Sequence, residues 1–225
     1  SKWSLYPSGV RTPLIIRWPA KVKSGQINSQ SVVSVVDIAP TIAELCGLPP
    51  FKKTDGQSFS ALLTDRPLKW QRTTAFSCFN YMNNHAEVDD SMPFFHSDLS
   101  KQFDQYRPSR ALNTGRFCYI WNGWADGNTS LPKTMLGEFH WILTKRAKAS
   151  PDSVMADYLE TKNFIEYRTP EELYDLSTDP GCQINLADQN KFNDTVKKFR
   201  NRMKKVLQKT QDHELDNFLS FMSNQ

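Results

Sequence analysis

Ser109-Arg110-Ala111-Leu112-Asn113-Thr114-Gly115-Arg116-Phe117-Cys118-Tyr119-Ile120-Trp121 is the stretch on which the fold turns. Residues 109–112 and 116–121 are extended-type runs on either side of Asn113-Thr114-Gly115, whose residue types accept the tight backbone of a turn, so the stretch reads as a β-hairpin. Asn122-Gly123 closes it. Downstream, Glu172-Leu173-Tyr174-Asp175-Leu176 alternates as a short strand, and Asp179-Pro180-Gly181 is turn chemistry. A helix is then expected from about 190 to 208, because Phe192, Val196, Phe199, Met203 and Val206 recur at the three-and-four spacing of one buried face. Upstream, residues 73–79 read as a further strand, and 132–149 and 151–161 as helices. These pieces add up to a small antiparallel sheet packed by a long C-terminal helix.

The first third of the chain has a different pattern. Pro13-Leu14-Ile15-Ile16-Arg17-Trp18-Pro19 is an apolar run between prolines and is expected to be a strand buried on both faces. Residues 31–36 are expected to be extended. Asp37 suits an N-cap, and Pro40 falls in the first turn, where its missing N–H costs nothing. Ile38, Ile42, Leu45 and Cys46 form a helical apolar stripe, Gly47 suits the left-handed position after the helix, and Pro49-Pro50 stop it. A short helix is expected within 58–63. Strand, loop and helix in this order imply an α/β fold in two parts. Residues 1–72 would be the C-terminal part of a parallel-type sheet, and residues 73–225 a smaller α+β subdomain.

Composition narrows the function classes. With 39% hydrophobic and 23% charged residues, the 225-residue chain can bury a core. No apolar run is long enough to span a bilayer. The net charge of +4 is mild, and the basic residues gather on one helix rather than on the clustered patches of a nucleic-acid binder. The four cysteines, Cys46, Cys78, Cys118 and Cys182, show no zinc-type spacing, and their connectivity cannot be read from sequence.

Five segments in order resemble the sulfatase family of the alkaline-phosphatase superfamily. Residues 2–15, with Lys2, Tyr6, Gly9, Arg11 and Pro13, resemble its G-K-x-x-x-Y-E-G-G-x-R-x-P run. Val36-Asp37-Ile38-Ala39-Pro40-Thr41-Ile42 is similar to its D-[IL]-x-P-T helix, and Asp55-Gly56-Gln57-Ser58 to its D-G-x-S segment. Residues 110–116 resemble R-A-[VL]-R-T-x-[RK]. Residues 172–187 resemble the closing E-L-Y-D-L-x-x-D-P-x-E-x-x-N-L motif. The chain departs from the pattern at Ser1, Pro7 and Ser8, and the glutamate of the closing motif is Gln183 or absent. The layout, with a long insert between His85 and Arg110, also resembles the heparan N-sulfatase branch.

The resemblance implies a hydrolase of sulfate esters or sulfamates, acting on a sulfated carbohydrate in a secreted, periplasmic or lysosomal setting. By motif position Lys2 is the catalytic cation near the leaving oxygen, where fixed positive charge lowers the barrier. His85 and Glu87 of the long loop, and Arg110, are the substrate-binding candidates. The calcium ion (Ca2+) and the formylglycine nucleophile of such enzymes would come from an N-terminal portion, so no metal ligand is assigned in this chain, and the fragment alone is expected to be inactive. Tyr106-Arg107-Pro108-Ser109-Arg110 mimics the nucleophile signature C-x-P-S-R, but a tyrosine cannot become formylglycine. Asp89-Asp90 reads as a solvated pair. Two alternatives remain at this point: phosphodiester or phosphonate hydrolysis by the same superfamily, and noncatalytic polyanion binding by the basic helix.

Overall fold

A computed structural model of the chain describes residues 4–64, 72–81, 106–129 and 167–225. Its centre is a four-stranded antiparallel meander, β1 (Ala75–Tyr81), β2 (Arg107–Asn113), β3 (Phe117–Asn122) and β4 (Glu171–Asp175), with neighbours in chain order. The hairpin forms where the sequence predicts it, with Arg110 opposite Trp121 and Ala111 opposite Ile120. Thr114 closes its turn: the Phe117 amide donates to Thr114 Oγ1 at 2.7 Å, and the Thr114 amide to the Phe117 carbonyl at 2.8 Å.

Because side chains alternate across a strand, the sheet has two distinct faces. One carries Leu112, Tyr119, Trp121 and Leu173, and helices cover it. Five helices are described: α1 (Pro7–Val10), α2 (Ile38–Leu45), α3 (Ser60–Leu63), α4 (Asn193–Thr210) and α5 (Leu215–Ser223). Val196, Phe199, Met203 and Leu207 of α4 lie buried on this face. The Tyr119 and Phe199 rings stack at 5.5 Å, and Phe218 of α5 meets Trp121 edge-on at 5.0 Å. Gln211 ends α4 in the left-handed conformation. The expected apolar stripe of α4 therefore holds, with Leu207 taking a deeper place than Val206. Helix α5 went unpredicted, although Leu215, Phe218, Leu219 and Met222 carry the helical spacing.

The opposite face carries Ala111, Cys118, Ile120 and Tyr174, and the start of the described chain closes it. Leu5 packs there, with Tyr6 and Val10 beside it.

Residues 11–64 depart furthest from expectation. The run at 13–19 is not a strand: it is irregular, with Ile15 90% exposed and Leu14 exposed as well. A strand needs a neighbour to take its backbone hydrogen bonds, and no described strand lies beside it. Helix α2 is present and Gly47 follows it at φ +69°, but the predicted apolar stripe is not its buried face. Thr41 and Ala43 are buried, while Ile42 and Cys46 are exposed. Asp37 explains the inversion. Its fully buried carboxylate accepts the Ser34 amide at 2.8 Å, the Gln57 amide at 2.8 Å and Arg72 Nη2 at 2.6 Å. Thr41 Oγ1 accepts the Phe59 amide at 3.0 Å. The polar side of α2 is thereby tied to residues 54–60. Gly56 sits so close to this corner that a Cβ would meet the Val36 carbonyl oxygen at 1.9 Å. The helices expected at 132–149 and 151–161 lie outside the described residues.

Candidate functional site around Glu172

Where the first segment crosses the open face of the sheet, it leaves a small cleft. Ser4, Tyr6, Arg107, Ser109, Trp124 and Arg168 line it, with Glu172 beneath. Glu172 points inward because it shares the face of Tyr174 and pairs across the ladder with Ile120. It is 1% exposed. Tyr6 Oη donates to Glu172 Oε2 at 2.6 Å, Tyr174 Oη to the same oxygen at 2.7 Å, and Asn122 Nδ2 to Oε1 at 2.6 Å. Arg168 Nη1 stands 3.9 Å from Oε1, and its guanidinium lies 4.7 Å from the centre of the Tyr6 ring.

A second line of hydrogen bonds runs to the cleft rim. Ser109 Oγ donates to Asn122 Oδ1 at 2.8 Å, and Trp124 Nε1 donates to Ser109 Oγ at 3.2 Å. Arg107 lies over the Trp124 ring at 5.4 Å. Asn122 also donates to the Thr169 carbonyl at 2.9 Å. Four strand positions and the first segment thus share one polar network.

Burial pushes the Glu172 carboxyl above its ordinary value, while the Arg168 charge and the bonds from Tyr174 and Asn122 pull it partly back. Burial likewise lowers Arg168, against the attraction of Glu172. The Tyr174 phenol is raised, first by burial and then by the adjacent carboxylate. This arrangement is suited to fixing position: the hydroxyls keep their protons, and the acid accepts from three sides.

The predicted site residues fall in different places. Lys2, His85 and Glu87 lie outside the described residues. Ser4, two residues after Lys2, lines the cleft. Arg110 lies on the other face of the sheet, in register with Cys78 and Trp121. Its Nε and Nη2 both donate to Asp212 at 2.8 Å, and Nη1 donates to Asn80 at 2.6 Å. Its observed task is to pin the corner between α4 and α5. Tyr106 stands next to that corner, with its hydroxyl 2.8 Å from Glu214 Oε1 and 2.6 Å from His213 Nε2. Burial and Glu214 raise its phenol. Sequence reasoning missed Glu172, Arg168, Asn122 and Trp124 as site residues. The available signal was a glutamate at an inward strand position, two residues from a tyrosine and four from an arginine.

Among the described residues, no three His, Cys, Asp or Glu side chains gather as a metal site. None of the described helices is long and apolar enough to cross a membrane.

Comparison with known proteins places this geometry in context. Residues 1–92 match the family model described as N-sulphoglucosamine sulphohydrolase, C-terminal. An ulvan-active sulfatase of Formosa agariphila is 23% identical over 206 residues, 90% of this chain and 30% of that protein. The human steryl-sulfatase is 36% identical over 85 residues, 37% of this chain and 14% of that protein. The solved structure of BT4656 in complex with its substrate D-glucosamine-2-N,6-O-disulfate shares the fold, with a TM-score of 0.53 at 19% identity over 95% of this chain and 31% of that one. The chain spans less than a third of the length of each of these relatives.

Proposed function

We propose, from a chain related to the C-terminal portion of the sulfatases, that it completes an enzyme hydrolysing sulfate esters or sulfamates on a sulfated carbohydrate. The observation that carries this reading is the anchoring of Tyr6 on Glu172, which fixes the segment following Lys2 at the rim of a cleft. In this reading Lys2 reaches the leaving oxygen from that rim. Its ammonium stabilises the negative charge that grows there as the S–O or S–N bond breaks, and can deliver a proton to it. By the family resemblance, His85 and Glu87 are the residues we propose for binding the substrate. Arg110 is committed to Asp212, so it supports the sheet behind the site.

Calcium and formylglycine belong to the chemistry of this family, and an N-terminal portion would have to supply both. The exposure of the apolar side chains Leu14, Ile15, Ile27 and Ile42 is in keeping with positions that such a portion covers. The match to N-sulphoglucosamine sulphohydrolase favours a sulfated glucosamine, and the ulvan-active relatives favour a polysaccharide. A secreted, periplasmic or lysosomal setting goes with either substrate.

The test is sulfate release from glucosamine 2-N,6-O-disulfate by the chain joined to its N-terminal portion, with and without Lys2→Ala. The reading expects kcat to collapse in the variant with binding retained, and no release by the 225-residue chain alone. An unchanged kcat, or turnover by the isolated chain, overturns it.

A further inference from the structure

We propose that Cys118 and Cys182 join in a disulfide that ties β3 to the loop after β4. The two residues come from distant parts of the sequence but pack in one cluster, with Leu5, Ala111, Ile120 and Tyr174 around them. They are 0% and 3% exposed. Cys46 and Cys78 are exposed and lie on other elements.

The fold delivers Cys182 to this place by a specific turn. The Leu176 amide donates to the Arg116 carbonyl at 2.7 Å, which pins the end of β4 beside the start of β3. The Asp179 carboxylate then accepts the Gln183 amide at 2.8 Å and the Ile184 amide at 2.9 Å, and the Cys182 amide donates to the Asp179 carbonyl at 3.1 Å. Cys182 adopts φ +54° within this turn, a left-handed conformation that non-glycine residues seldom take. The turn thereby carries Cys182 into the buried cluster that holds Cys118. Two cysteines buried in one cluster are placed for a bond, and a cross-link over about 65 residues removes a large share of the unfolded chain's freedom.

The chemistry is thiol–disulfide exchange with a low-molecular-weight disulfide, written RSSR. Cys182 acts first, while the loop after β4 is still open. Cys182 loses its proton and attacks one sulfur of RSSR, forming a mixed disulfide and releasing RS⁻. Cys118 then loses its proton and attacks the Cys182 sulfur, releasing the second RS⁻. The net change is two protein thiols plus RSSR giving one protein disulfide plus two RSH. Both thiols are covered in the finished fold, so the exchange runs while the loop after β4 is still closing.

The experiment uses the whole chain, refolded with glutathione disulfide and then unfolded in N-ethylmaleimide. Intact mass should show two maleimide adducts and the loss of two hydrogens, and a non-reducing digest should yield the peptide pair containing Cys118 and Cys182. Reduction beforehand should give four adducts, one for each cysteine. The variant Cys46→Ser/Cys78→Ser, altered only at exposed positions, should keep the cross-link. Its urea midpoint should fall on adding dithiothreitol, and that of Cys118→Ala should not move. Four adducts without reduction, glutathione retained on either residue, or a cross-link through Cys46 or Cys78 overturns the proposal. None of these readouts depends on sulfatase activity.

Discussion

Replacing Glu172 by alanine removes the acceptor on which the open face of the sheet converges. Tyr6, Tyr174 and Asn122 each lose a charged acceptor at 2.6–2.7 Å. Hydrogen bonds to charged groups are worth about 1.5–3 kcal/mol each, so the three set an upper bound of roughly 4.5–9 kcal/mol. Two effects reduce it. Asn122 keeps the Thr169 carbonyl, and the cost of burying the carboxylate, visible in its raised pKa, disappears with it. One effect adds to it, because Arg168 remains buried with its neighbouring countercharge gone. Breaking a buried pair by removing one partner costs about 3–5 kcal/mol, and we expect Glu172→Ala to fall in that range. Glu172→Gln keeps the shape and one acceptor, and the loss should be about 1–2 kcal/mol. The variants also differ in pH dependence. An acid whose folded pKa lies above its ordinary 4.5 holds its proton longer in the folded state. Its contribution is therefore full below 4.5 and is lost as pH rises through the folded value. The penalty of Glu172→Gln should accordingly shrink across that rise. Urea unfolding followed by tryptophan fluorescence, on either side of the ordinary value, reads both effects. If both variants unfold within about 0.5 kcal/mol of the parent, the network carries no stability and the reasoning is wrong.

Leu207→Ala empties a fully buried position under α4 and should cost about 2–5 kcal/mol, read as a lowered urea midpoint. Asp212→Ala strands the buried guanidinium of Arg110 and should cost about 3–5 kcal/mol by the same measurement. Burial alone would raise the Asp212 carboxyl, but the bonds from Arg110 and the Glu214 amide take it below 3.8, and Arg116 holds Asp175 down at about 2. Both carboxylates therefore stabilise the fold above 3.8 and lose that contribution as pH falls through their folded values. Acid titration of Asp175→Asn should show a shallower loss between those limits, and a parallel curve would contradict the assignment. Ile15→Asp, at a position 90% exposed, should leave the stability of this chain within about 0.5 kcal/mol. In the chain joined to its N-terminal portion, the same change should lower folded yield, and equal yields would mean that nothing covers Ile15.

What the sequence made legible follows from which elements carry their own partners. The hairpin, β4 and α4 are each specified by a period and a turn, and their partners lie within the chain: Arg110 meets Trp121, Cys118 meets Tyr174, and Phe199 meets Tyr119. Residues 13–19 have the composition of a central strand, but composition cannot supply a neighbour, and the run is bare in the structure. In α2 the apolar stripe was real, yet Asp37 and Thr41 bind residues 57 and 59 and turn the opposite side inward. The candidate site was less legible still. Its centre is a glutamate that reads as an ordinary strand residue until Tyr6, 166 positions away, is found bonded to it.

That long-range bond bears on how the two parts of the chain depend on each other. One face of the sheet is sealed by apolar packing against α4 and α5, which tolerates small shifts because dispersion contacts have no direction. The other is covered by Leu5, Tyr6 and Val10, and there the apolar packing is joined by the bond from Tyr6 to a buried carboxylate, which is directional. Tyr6 must sit within bonding distance of Glu172 to keep this bond, and hydrogen bonds weaken steeply with distance and angle. Substitutions under the helices should therefore act on stability alone. Substitutions around Glu172 should also displace the segment that leads back to Lys2, and so alter position as well as stability.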